Sequence, residues 1–166
     1  MFGVLKNHKV PEDPARMNEI VLAYLGDCVY ELYVRNLSVE TGEPRVYVLN
    51  KISSEKSKAS YQAAALKKLI GTLDETEAGI VRRAKNKKIT SKPRNADPMD
   101  YKAATAFEAL IGYLYLTEQT KRMEQIIELA FREAEEKNAE KQNSAEKNSE
   151  EQNAEEVRII GGAENE

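Results

Sequence analysis

The sequence predicts an all-α domain, and three observations carry that prediction. No stretch alternates apolar and polar residues with a period of two, whereas several stretches repeat apolar residues at helical spacing. Gly42, Pro44 and Gly71 interrupt those stretches where helices would stop. Two stretches, residues 20–34 and 103–116, are apolar almost throughout, as expected of helices enclosed in a bundle.

In chain order, Pro11 and Pro14 punctuate a polar opening segment. A first helix is expected from near Ala15 to about Asn36, with apolar residues at Met17, Ile20, Val21, Tyr24, Cys28 and Leu32. After the break at Gly42 and Pro44, a short helix is expected around residues 45–50 and a longer one over 53–69, closed by Gly71. Residues 74–84 read as a helix whose acidic first turn suits its dipole. Asp97 or Pro98 then opens a helix that runs to about Leu116, and a last amphipathic helix carries Met123, Ile126, Ile127, Ala130 and Phe131.

The two apolar helices each contain carboxylates where packing would exclude them. Between residues 20 and 34 the only charged side chains are Asp27 and Glu31, and between 103 and 116 the only one is Glu108. An ionised carboxylate buried without a partner costs several kcal/mol, so it must be paired, protonated or bound to a metal. Gly26 sits beside Asp27, and Gly112 lies four residues after Glu108. A mid-helix glycine costs ~1 kcal/mol against alanine, and both are explained if the helices cross closely there with Asp27 and Glu108 adjacent. A hard divalent cation is then the simplest neutralising partner. Burial beside arginines, or capping of backbone groups, is the plain structural alternative.

Arg82, Arg83, Lys85, Lys87, Lys88, Lys92 and Arg94 place seven positive charges within thirteen residues that include no acid. The segment leads directly into the Glu108 helix, so a phosphate drawn to it would arrive near the carboxylates. Lys51, Lys56 and Lys58 form a second, weaker cluster. Few aromatics accompany these bases, which disfavours a stacking platform for single-stranded nucleic acid.

Composition sets the compartment and the boundaries. The 166 residues suffice for one cored domain, expected over 1–132. Residues 133–166 hold eleven acids and four bases, a charge of −7, and almost nothing to bury, so an acidic, disordered tail is expected. The rest of the chain carries +4, beneath an overall charge of −3. No apolar run approaches the roughly 20 residues that span a bilayer, and the opening residues have no apolar core for a secretory signal. Cys28 is the single cysteine and His8 the single histidine. An internal disulfide is thus impossible, a cytoplasmic protein without membrane contact is expected, and a histidine triad or zinc cluster is disfavoured. Cys28 itself reads as a small core residue.

The segments Leu22-Ala23-Tyr24-Leu25-Gly26-Asp27 with Tyr30-Glu31, then Asn95-Ala96-Asp97, then Thr105-Ala106-Phe107-Glu108-Ala109-Leu110-Ile111-Gly112 resemble the ribonuclease III catalytic-domain family. The match is nearest to its Mini-ribonuclease III form, the bacterial form consisting of that domain alone, and extends over residues 20–117. The resemblance implies a helical bundle of the ribonuclease III endonuclease type and a Mg²⁺-dependent cut leaving 5′-phosphate and 3′-hydroxyl ends. It assigns metal binding and catalysis to Asp27 and Glu108, with Glu31 and Asp97 as outer supports. The larger family members have further acids where this chain has Ala23 and Thr105, which favours one Mg²⁺ over two. The family further implies a homodimer acting on double-stranded RNA in maturation of a large-subunit (23S) ribosomal RNA precursor, with a ribosomal protein as a further candidate partner. The larger family members add a double-stranded-RNA-binding module of about seventy residues, whereas the polar tail has 34, so the domain is expected to bind RNA itself. The rival readings are a non-catalytic, ribosome-associated RNA-binding protein on the same fold, which Asp27 with Glu108 argues against, and a helical transcription regulator, for which no recognition helix is evident.

Overall fold

The computed structural model describes residues 10–88 and 97–131, and among them every regular element is a helix. The chain divides into two compact units, Met1–Ala130 and Phe131–Glu166. Every described residue except Phe131 lies in the first. The elements are α1 (Glu19–Glu40), α2 (Val46–Lys56), α3 (Ala59–Leu69), α4 (Glu75–Asn86) and α5 (Pro98–Leu116), with α6 over residues 120–131.

Helix α5 is the centre of the bundle and packs against α1, α3 and α4. Its residues Ala104, Ala106, Phe107 and all of 109–114 are buried. Glu108, the one charge in that run, is the exception to an otherwise apolar surround. Asp97 opens the helix by accepting from the backbone N–H groups of Met99 and Asp100, with Pro98 at the first turn, where its missing N–H leaves no gap.

The α1–α5 crossing is as close as the glycines predicted. A Cβ built on Gly26 would overlap the Glu108 carbonyl and stand 2.7 Å from the Gly112 nitrogen. A Cβ on Gly112 would likewise run into the Leu22 carbonyl. Only hydrogen fits at both positions, and this brings the backbones bearing Asp27 and Glu108 together. Next to the crossing, Tyr30 meets Phe107 edge to face, with ring centroids 5.2 Å apart.

Several sequence expectations need correction. Helix α1 begins at Glu19, behind an Asn18 cap and a 3-10 turn at Pro14–Arg16, and runs to Glu40, where Gly42 turns with positive φ. The break between α2 and α3 falls at Ser57 and Lys58, not near residue 52. No glycine or proline makes it: the Tyr30 hydroxyl donates to the Lys56 carbonyl at 3.0 Å, and the Ser57 hydroxyl donates to Glu31 at 2.5 Å. The start of the basic segment is helical, since α4 continues to Asn86 through Arg82, Arg83 and Lys85.

The largest revision concerns α1. Its buried face is Leu22, Ala23, Gly26, Val29, Tyr30, Val34 and Ser38. Ile20, Val21, Tyr24 and Leu32, expected in the core, are 43–79% exposed, and Cys28 is exposed as well. The helix is apolar on both sides, and the rest of the chain covers only one of them.

Candidate active site

Asp27 and Glu108 line one cleft between α1, α4 and α5. Helix α1 supplies Tyr24, Asp27 and Cys28; α5 supplies Tyr101, Lys102, Thr105 and Glu108; Lys87 and Lys88 stand at the end of α4. Burial pushes the Glu108 carboxyl up to about 8, with the charge of Asp27 adding to the rise. Asp27 is raised for the same first reason, burial, and then by Glu31. The two carboxyls are therefore near enough to resist joint ionisation. Among the described residues, neither forms an ion pair with a lysine or arginine, so without a cation the pair is relieved by keeping a proton.

That donor set fits a hard divalent cation. Carboxylate oxygens are its preferred ligands, and a small ion such as Mg²⁺ takes one or two of them while keeping several waters. Among the described residues no group of three or more His, Cys, Asp or Glu side chains could hold a metal. Ala23 offers no oxygen, and the Thr105 hydroxyl donates back to the Tyr101 carbonyl at 3.0 Å.

The remaining expected site residues are dispersed. Glu31 accepts from Arg35 at 2.7 Å and from Ser57, so both its oxygens are occupied, though its charge still reaches Asp27. Asp97 is an exposed helix cap, eleven residues from Glu108 and about 16 Å along the axis, too far to support an ion there. Arg83 and Lys87 are tied to Glu19, at 2.6 and 3.0 Å. Burial alone would raise the Glu19 carboxyl, but these two cations hold it below its ordinary value. Arg82 and Lys88 are exposed and Lys85 half-buried, while Lys92 and Arg94 lie outside the described residues. In the second cluster Lys51 is exposed, Lys58 pairs with Glu55 at 2.6 Å, and the Lys56 ammonium sits 5.7 Å from the Tyr61 ring centre.

Lys102 was not singled out from sequence, yet it lines the cleft. The signal was present: Lys102, Thr105 and Glu108 follow one another at spacings of three, which makes successive neighbours along a helix surface.

A helical bundle with a carboxylate pair at a tight two-helix crossing defines a class, and comparison with known proteins specifies it. The ribonuclease III domain model matches residues 20–119. The chain belongs to that family and is an endoribonuclease, a phosphodiester hydrolase leaving 5′-phosphate and 3′-hydroxyl ends. It is similar to Mini-ribonuclease 3 of Symbiobacterium thermophilum, 42% identical over 118 residues that cover 71% of this chain and 91% of that one. Mini-ribonuclease 3 of Brevibacillus brevis is 40% identical over 127 residues, 76% and 95% of the two chains. A crystal structure of a Fusobacterium nucleatum protein shares the fold with a TM-score of 0.67 at 36% identity, covering 73% of this chain and 98% of that one.

Proposed function

We propose that this chain is a Mg²⁺-dependent endoribonuclease of double-stranded RNA that acts as a cytoplasmic homodimer in maturation of the large-subunit ribosomal RNA precursor. The observation that carries the reading is the cleft itself: two carboxyl groups on α1 and α5 without a direct ion pair among the described residues, in a cleft that Lys87, Lys88 and Lys102 also line. Asp27 and Glu108 hold the cation. When bound, Mg²⁺ supplies a water of lowered pKa and stabilises the charge on the leaving oxygen. The lysines take the phosphates on either side of the scissile bond, which orients the strand across the carboxylates. Arg82, Lys85, Lys92, Arg94 and the Lys51–Lys56–Lys58 cluster extend the contact along the duplex backbone. Residues 1–132 constitute the catalytic domain and 133–166 an acidic tail without a part in the chemistry.

The homodimer is supported by the exposed apolar face of α1. Ile20, Val21, Tyr24 and Leu32 form a stripe that a second copy would cover in a two-fold interface. Two cut sites related by that axis would meet the two strands of one duplex. No described helix is long and apolar enough to cross a membrane. Similarity to the Mini-ribonuclease 3 proteins supports the ribosomal substrate, with a ribosomal protein as the partner that presents it; retention of both carboxylates counts against a non-catalytic role.

The test is incubation of the purified chain with a double-stranded stem and with its separated strands, in Mg²⁺ and in chelator. Cleavage of the stem alone, only in Mg²⁺, is expected. Mapping of precursor 23S ends in cells depleted of the protein should show unprocessed termini; normal termini would remove the ribosomal assignment and leave the enzymatic one standing.

A further inference from the structure

Gln62 on α3 is 1% exposed, one of the most deeply buried side chains in the molecule. Helix α3 packs on α5, and the Gln62 amide lies against the Glu108 carboxyl, where it favours the charged form. Yet its Nε2 finds no acceptor at ordinary hydrogen-bond geometry among the described residues. Buried amides are normally fully bonded, and an exception calls for an explanation. The contact favours the ionised form of Glu108, which only accepts hydrogen bonds, so the amide edge turned to it is the Nε2 edge. Apolar residues at Ala65, Leu66 and Leu69 fill the rest of the buried face of α3. Packing alone would thus be served by a leucine or methionine at position 62.

We propose that Gln62 is a positioning residue: its buried amide holds the Glu108 carboxylate toward Asp27, so that the two present oxygens to one divalent cation. The proposal rests on the reading of Asp27 and Glu108 as metal ligands. Gln62 itself touches neither ion nor RNA. Its donor fixes the rotation of a carboxylate that would otherwise turn freely in the cleft, and partners of this kind behind a metal ligand commonly contribute 10–100-fold in metal affinity.

The experiment compares the full chain with Gln62→Met, Gln62→Leu and Glu108→Gln. Calorimetric titration with Mn²⁺ alone reads the site without catalysis, and thermal melts in chelator read the fold. Gln62→Met should melt within a few degrees of the parent and bind Mn²⁺ roughly tenfold more weakly or worse. The Mg²⁺ concentration for half-maximal cleavage should rise in step, with KM for a double-stranded stem unchanged. Gln62→Leu serves if the methionine variant does not fold. Parental Mn²⁺ affinity in either folded variant overturns the positioning role while Glu108→Gln still loses the metal. If Glu108→Gln also binds Mn²⁺ as the parent does, the metal assignment fails and the Gln62 role falls with it.

Discussion

Asp27 and Glu108 stood out in the sequence because charge in an apolar helix calls for an explanation, and the structure brings both to one cleft without a direct ion pair among the described residues. Their environment adds a consequence for pH. Glu108 is held at about 8 against an ordinary 4.5, so between those values the folded chain keeps a proton that the unfolded chain has released. Asp27 is shifted in the same direction. Without metal, stability should therefore fall as pH rises from about 4.5 to about 8, and Glu108→Gln should flatten most of that slope. Melting temperatures in chelator across this range test it; parallel slopes in parent and variant would contradict it. Gln62 was not legible, because its significance depends on which residue α5 brings beside α3, whereas Lys102 shares a helix surface with Glu108 and could have been read from its spacing. The pairing of Arg83 and Lys87 with Glu19 was hidden for a related reason. A run of bases shows charge but does not show that buried Glu19 claims two of them. Arg83→Ala should cost about 1–3 kcal/mol by weakening that buried pairing. Arg82→Ala should change stability by less than ~0.5 kcal/mol yet lower the salt slope of RNA binding by nearly one. Denaturant titration and binding isotherms at several salt concentrations separate the two.

At the scale of elements, local signals worked where the chain itself ends a helix. Asp97-Pro98 starts α5 and Gly42 follows α1, as their caps require. The signals failed between α2 and α3, where the break is set by Tyr30 and Glu31 reaching over from α1. No window of residues 50–60 contains that information. The glycine pair was readable because Gly26 and Gly112 stand in helices that would otherwise exclude them. Gly26→Ala should push α1 off α5 and cost about 1–3 kcal/mol or more, with activity lost sooner than fold because the carboxylates separate. Denaturant unfolding paired with a cleavage assay tests this; an unaltered midpoint would show that the crossing has slack.

For the whole molecule, the fold class was readable and the burial of α1 was not. Apolar residues on both faces of one helix look like enclosure by a single bundle, and sequence cannot say whether the second covering comes from the same subunit. The exposed stripe of Ile20, Val21, Tyr24 and Leu32 points to a second copy. Leu32→Glu, outside the cleft-lining set, should convert a dimer to monomers in sedimentation at micromolar concentration. A parent chain that sediments as a monomer would contradict the assembly while leaving the active site intact.

The central claim is that Asp27 and Glu108 together hold the ion that cuts RNA. Its most direct test is the single-turnover cleavage rate of a saturating double-stranded stem by Asp27→Asn and Glu108→Gln in Mg²⁺. Both substitutions remove ligand charge and almost no volume, so each variant should fold and bind RNA like the parent. Each should cleave at least a hundredfold more slowly, a loss of about 3 kcal/mol or more. Cleavage by either folded variant at the parental rate would contradict the claim.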